Sequence, residues 1–176
     1  MDAPGRSGTR MAFCGILTAL SVVFMILVAV IPVMIYCCPL LSGMCVALAA
    51  REYGARYGAF VYVSACIVSF LLVADKEAVS VFVLLMGAYP ILSSVLKKRV
   101  FGIRVFVKLV YINVACVLYY YICVLLLGIP KDSFGSLPFF MLAAANLIML
   151  MYDRAINSVT VVYERKFRKR IMKGKM

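Results

Sequence analysis

Long apolar runs separated by short polar breaks organise this chain. Six such runs lie at about residues 11–36, 39–50, 57–74, 78–96, 105–129 and 137–162. A helix needs about 20 apolar residues to cross the hydrocarbon core of a bilayer. The first run exceeds that length and carries Pro32 near its far end, where a kink or an early helix stop is expected. The second is short; it either extends through Glu52 and Tyr53 or crosses only part of the bilayer. Backbone polar groups in lipid must be satisfied within the segment, so helices are the expected form. Strand-length alternating segments, the mark of a membrane barrel, are absent from the pattern. The pattern predicts an all-α membrane protein with six transmembrane helices. It forms a single integral membrane domain over residues 1–176, ending in a short basic cytoplasmic tail at about 163–176. A cleaved signal peptide is disfavoured for the first run, which is too long for a signal core and whose removal would leave an odd number of spans.

Charge orients the bundle. Of the 19 Lys and Arg, all but Lys76 and Lys131 fall in every second gap or at its borders. Arg6 and Arg10 precede the first run, Arg51 and Arg56 follow the second, and Lys97, Lys98, Arg99, Arg104 and Lys108 follow the fourth. The last group opens with Arg154 and continues from Arg165 to Lys175. Basic loops stay on the cytoplasmic side. Both termini are therefore expected to be cytoplasmic, in a cell membrane, with a sparsely charged outer face and a basic inner one. The C-terminal basic run suits contact with anionic lipid of the inner leaflet.

Composition agrees and narrows the chemistry. Hydrophobic residues make up 66% of the chain, against about 45–50% in a soluble domain. A net charge of +12 raises nucleic acid as a partner, but the charge lies beside spans rather than in an aromatic-interleaved soluble patch. Histidine is absent, which removes zinc proteases, di-iron bundles and Ser–His hydrolases. The seven cysteines include no CxxC pair, so no metal, cofactor or redox site is expected. Cys37 and Cys38 are adjacent and read as packing residues, since a bridge between neighbours would be strained.

A few polar residues stand out against this background. Asp75-Lys76-Glu77 forms the densest polar cluster away from the basic face. It reads either as a solvated turn or as a solute-facing loop whose charges bind a polar or zwitterionic molecule. Asn113 and Asn146 lie within spans, as interhelical glue or as ligand-orienting amides; Asn146 is better placed for a pocket opening outward. Tyr119, Tyr120 and Tyr121 are consecutive, so about 100° separates each from the next and at least one should face the interior. Asp153 and Arg154 lie deep in the sixth run; Asp153 is expected to pair with Arg51 or Arg104. Two small-xxx-small steps, Gly15 with Ala19 and Gly54 with Gly58, allow close helix approach, within the bundle or to a separate membrane protein.

The opening segment MAFCGILTALSVV, the outer corner IPVMIYCCP, the ADKEA turn and the GAYPIL segment resemble the substrate-binding S components of energy-coupling factor (ECF) transporters. The resemblance implies a subunit that captures a vitamin or related micronutrient at the outer face. It also implies a T component and two cytoplasmic ABC ATPases as partners. It places the ligand pocket near Tyr36, Asp75, Lys76, Glu77, Tyr120 and Asn146, and the T-component contact at Gly15 and Ala19, where glycine replaces the family's first alanine. The chain has no Walker A motif, so ATP hydrolysis would belong to the partners. In this reading the protein is not an enzyme. The main alternative is a structural scaffold of the MreD-like cell-shape type, which needs no pocket. An intramembrane enzyme is disfavoured by the missing histidines and the lack of carboxylate-rich motifs in the spans. A self-contained secondary transporter is disfavoured by the lack of evident inverted repeats and broken helices.

Overall fold

The structure is a computed structural model that describes residues 4–31, 34–96, 101–125 and 138–163. These residues form six helical rods: α1 (Pro4–Val30), α2 (Cys37–Glu52), α3 (Ala55–Leu72), α4 (Lys76–Leu96), α5 (Phe101–Leu125) and α6 (Pro138–Tyr163). The expected loop at 130–136 and the basic tail beyond Tyr163 lie outside the described residues.

Among the described residues, four segments are long and apolar enough to cross a membrane: Gly8–Val30, Ala55–Leu72, Lys76–Leu96 and Gly102–Leu125. They make this a membrane-embedded protein. The other two rods differ for separate reasons. At 16 residues, α2 reaches about 24 Å along its axis, short of a hydrocarbon core of about 30 Å. The α6 helix is long enough but carries Asn146, Asp153, Arg154 and Asn157.

The shortest rod is the best buried. Cys38, Ser42, Gly43, Cys45, Val46, Ala47, Ala49 and Ala50 of α2 are all buried, and the helix packs against α1, α3, α4 and α6. Small side chains let neighbouring backbones come close where no hydrophobic force draws helices together in lipid. Two cores result, and both draw on α2 and α4. One joins them to Leu17, Met25 and Val28 of α1 and Val61 and Ala65 of α3. The other joins them to Ile112 of α5 and Met149, Tyr152 and Ile156 of α6. The pair α2/α4 is thus a central layer, with α1/α3 on one side and α5/α6 on the other. Outward faces stay apolar, with Phe60, Ile67 and Leu71 of α3 and Phe106 and Val114 of α5 largely exposed, as lipid-facing positions should be.

Helix boundaries follow local chemistry. The first helix ends at Val30, before Pro32 in the sequence, because a proline disfavours helical backbone in the residue ahead of it. At the α3–α4 turn the Asp75 carboxylate accepts from the backbone N–H of Glu77 (3.0 Å) and Ala78 (3.2 Å). This is N-capping of α4. The Lys76 ammonium reaches back to the carbonyls of Phe70 (2.7 Å) and Val73 (2.9 Å) at the end of α3, where a cation complements the helix dipole. Lys76 and Glu77 therefore belong to the first turn of α4 rather than to a loop, and α4 starts two residues before the expected 78.

Midway along, α4 widens into a π-helical turn over Phe82–Gly87 before resuming as an α-helix over Ala88–Leu96. Pro90 explains the disturbance. It has no N–H for the carbonyl four residues back, Met86, and its ring crowds that carbonyl. Inside a bilayer the carbonyl needs another donor, and the Tyr152 hydroxyl of α6 supplies it at 3.1 Å. Two more tyrosines donate into the same turn: Tyr62 of α3 to the Val83 carbonyl at 2.8 Å, and Tyr111 of α5 to the Leu84 carbonyl at 2.6 Å. Glycine makes two of these approaches feasible. A Cβ on Gly87 would lie 2.7 Å from the Tyr62 ring, and one on Gly43 would lie 2.5 Å from the Met86 carbonyl oxygen and against the Tyr152 hydroxyl. Sequence reading singled out none of these three tyrosines. The available signal was Gly87 and Pro90 within one apolar run, together with isolated tyrosines in three others.

Candidate functional site

Two polar constellations lie within the bundle. The first surrounds Glu77. From the first turn of α4 its carboxylate accepts a hydrogen bond from the Tyr119 hydroxyl of α5 at 2.9 Å and a longer one from Tyr36 at 3.4 Å. Tyr36 immediately precedes α2. Three elements distant in sequence thus converge on one carboxylate. Buried Cys123, one turn along α5 from Tyr119, adjoins the group. Burial, followed by the nearby Glu77 charge, pushes the Tyr36 phenol above its ordinary value. Tyr36 therefore remains a donor throughout the physiological range.

The expected site residues separate by role. Tyr36 and Glu77 meet. Asp75 and Lys76 are engaged in capping, and the Lys76 ammonium also lies 4.9 Å from the Phe70 ring centroid. Among the three consecutive tyrosines the inward one is Tyr119. Tyr120 and Tyr121 sit on the exposed side, with their rings 5.9 Å apart. The cause is rotation of about 100° per residue, which lets only one of the three point at Glu77. Asn146 lies away from the Glu77 group, with its amide N–H 3.4 Å from the Asn113 Oδ1 of α5, and Asn113 itself donates to the Leu109 carbonyl at 2.8 Å. That contact joins α5 to α6.

The second constellation is the ion pair of Asp153 with Lys108, 2.7 Å apart, with side chains only 26% and 13% exposed. Asp153 was expected to meet Arg51 or Arg104; its partner is instead Lys108, which projects from α5 directly at α6. The Lys108 ammonium also lies 5.3 Å from the centroid of the Tyr89 ring, within cation–π range. Tyr89 packs in turn on Tyr111 and Tyr152. Ser93 of α4 adds a long hydrogen bond to Asp153 at 3.4 Å. The pair is thus tied to the tyrosines that hold the π-turn.

The two small-residue steps also separate. Gly58 faces into the bundle, where a Cβ would lie 2.6 Å from that of Ala50. Gly15 has nothing within 4 Å of its Cβ position, and Ala19 is exposed like it. Two shallow surface grooves occur at the opposite end from Glu77: one beside Arg51, Ser93, Ser94 and Asn157, with an internal volume of about 10 Å³, room for one water, and one along Met44, Leu48 and Val159 with no internal volume. Among the described residues no group of three His, Cys, Asp or Glu side chains is placed to hold a metal ion, and all seven cysteines are free thiols.

No family model, no curated protein and no solved structure matches this chain.

Proposed function

We propose that this protein is the solute-capturing membrane subunit of an ECF-type uptake transporter, with Glu77 as the charged centre of its outward-facing site. The observation that carries the reading is the Glu77 carboxylate, drawn toward α5 and held by two phenols from separate elements, with no cation among its hydrogen-bond donors from the described residues. A carboxylate at a membrane interface that is oriented by neutral donors keeps its charge for an incoming cationic or polar group. In this reading all six helices span the cell membrane in a multi-pass arrangement, with short α2 buried among its neighbours and both termini cytoplasmic. The Glu77 end is then outside and the Arg51 end inside, as the positive-inside distribution requires. The solute is a vitamin-like micronutrient bearing a basic or hydrogen-bond-donating group. The exposed Gly15–Ala19 face of α1 is the surface offered to a T component, which two ABC ATPases would energise.

The scaffold reading draws on a different observation: the bundle centre is tied together by tyrosines. Affinity purification of the tagged protein from its native host in mild detergent, followed by mass spectrometry, separates the two. Recovery of a T-type membrane protein with ATPases is the expected result, and Gly15→Leu should abolish it while leaving the protein folded. Recovery of cell-wall or cytoskeletal proteins without an ATPase would replace the transport reading by the scaffold one.

A further inference from the structure

The backbone of α4 has two ways to bond at its π-turn, and the sequence suits both. A π-turn takes N–H groups five residues on, where an α-helix takes them four residues on. Counted in α register, the Val83 carbonyl would receive the N–H of Gly87, and the Leu84 carbonyl that of Ala88. In the π-turn seen here each of these carbonyls accepts from a phenol, Tyr62 at 2.8 Å and Tyr111 at 2.6 Å. Met86 is different. Its α-register donor would be residue 90, a proline, so it needs the Tyr152 hydroxyl in either register. Two of the three phenols therefore favour the π form, and the third does not discriminate. The segment on the Glu77 side of the turn is also suited to a step of one residue. From Ala78 to Val81 it reads Ala-Val-Ser-Val, and Ala78, Val79 and Val81 are buried. A one-residue step replaces each by a neighbour of similar size, the kind of exchange that packing tolerates best. The Ser80 hydroxyl bonds the Lys76 carbonyl at 2.8 Å within the same segment, so that bond travels with it. Helices deform at prolines, at π-turns and where side chains enter the backbone ladder. All three occur in α4 between residues 82 and 90.

We propose that this turn is a register switch. The helix alternates between the π form and an α form in which Lys76–Val81 is rotated against Ala88–Leu96 by one residue, about 100°. Tyr62 and Tyr111 latch the π form, and Tyr152 is the pivot common to both. The segment beyond the turn stays in place, because Tyr89 packs on Tyr152 and lies under the Lys108 ammonium. Rotation takes Glu77 off Tyr119 and Tyr36, so the register at the centre of the bundle decides whether that carboxylate is oriented. The Tyr62 hydroxyl, once released, has the Cys66 thiol one turn along α3 as its next partner. The switch is a property of α4 and stands independently of the transport reading.

The test uses the full-length protein in phosphatidylcholine nanodiscs, with a trifluoromethyl label on Ser80→Cys and with Cys37, the exposed native thiol, changed by Cys37→Ser. Fluorine NMR with saturation transfer reads the populations of the two registers as two lines. Tyr62→Phe and Tyr111→Phe should each raise the minor line about five-fold, because each strips the π form of one hydroxyl donor. Pro90→Ala returns an N–H to Met86 in the α form and should populate the same line. Tyr152→Phe should lower the melting temperature without shifting the populations, since its hydroxyl serves both registers. A label on Val95→Cys, an exposed position beyond the turn, should keep a single line in every variant. Should a Phe variant fail to fold, Pro90→Ala decides alone. An unchanged Ser80→Cys spectrum in folded Pro90→Ala would overturn the switch. So would a second line at the Val95→Cys label, or an equal rise in Tyr152→Phe and Tyr62→Phe, either of which means general loosening of the bundle.

Discussion

Asp153 and Glu77 are both carboxylates among apolar helices, yet their surroundings differ in kind. Asp153 meets an ammonium at 2.7 Å and a serine. Among the described residues, Glu77 meets only phenols. Its sequence neighbour Lys76 is turned the other way, onto the carbonyls that end α3. In a low-dielectric setting an ion pair closes on itself, whereas a carboxylate held by neutral donors keeps its net charge. Asp153 is therefore a clasp between α5 and α6. Glu77 is positioned by neutral donors and meets no cation among the described residues, which suits the proposed role as a site for a cationic group.

The largest expected effect comes from breaking the clasp. Asp153→Leu strands the Lys108 ammonium and should cost about 3 kcal/mol or more, measured by denaturant unfolding in mixed micelles. Replacing both partners, Asp153→Leu with Lys108→Met, should recover most of that loss, because two apolar side chains leave no stranded charge. Glu77→Gln in the same assay should cost about 1 kcal/mol or less, since an amide oxygen can still accept from Tyr119. Similar losses for Glu77→Gln and Asp153→Leu would show that the two carboxylates do the same job.

Next in size is the π-turn. Tyr152→Phe leaves the Met86 carbonyl without its hydroxyl donor, and the buried acceptor should cost about 1–3 kcal/mol. Tyr121→Phe, on the exposed side of α5, should cost a few tenths of that. Melting temperatures in one detergent check both. A silent Tyr152→Phe would mean that α4 satisfies Met86 by other means and that the centre of the bundle is looser than the geometry indicates.

What the sequence made legible depended on periodicity and charge. The six runs anticipated six helices, and Pro32 marked the end of the first. Spacing along one helix also required an inward tyrosine among residues 119–121. Which of the three turned inward was hidden, because the rotation of α5 is set by packing against α4 and α6. The partner of Asp153 was hidden for the same reason: several cations share that end, and only helix rotation selects Lys108. The π-turn is the clearest omission. Its cause is local, at Pro90, but the three donors that make it tolerable come from α3, α5 and α6, and such a convergence exists only in three dimensions. The Asp75–Glu77 triplet looked like a single polar cluster, and folding divides it among a cap on α4, a cap on α3 and the Glu77 group.

That division can be tested within the triplet itself. Asp75→Ala removes the cap on α4 and should cost about 1 kcal/mol. Asp75→Asn keeps a side-chain oxygen for the same two N–H groups and should cost only a few tenths of a kcal/mol. Neither should alter solute capture beyond its effect on folding, whereas Glu77→Gln should lower affinity for a cationic solute about ten-fold or more. Isothermal titration with candidate micronutrients reads the affinities, and thermal unfolding reads the stabilities. Loss of affinity in Asp75→Asn, with stability intact, would return Asp75 to the site and blur the contrast between cap and centre.

The smallest effect concerns Tyr36, and it is confined to one pH window. Burial and the Glu77 charge raise its folded-state value, while the unfolded phenol titrates near pH 10 or so. A raised value means that the contribution to stability is complete below the unfolded value and is lost as pH rises through the folded one. Between pH 6 and roughly 9, wild type and Tyr36→Phe should therefore differ by a constant small amount, that of one long hydrogen bond. Above pH 10 or so the wild type should fall toward the variant, as phenolate forms beside Glu77. Melting temperatures of both proteins across this range supply the check, with Tyr121→Phe as the control for general alkaline loss. Convergence beginning near neutral pH instead would mean that Tyr36 does not donate to Glu77 in the folded state. Tyr119 would then be the one phenol orienting that carboxylate, and the Glu77 site would rest on two elements rather than three.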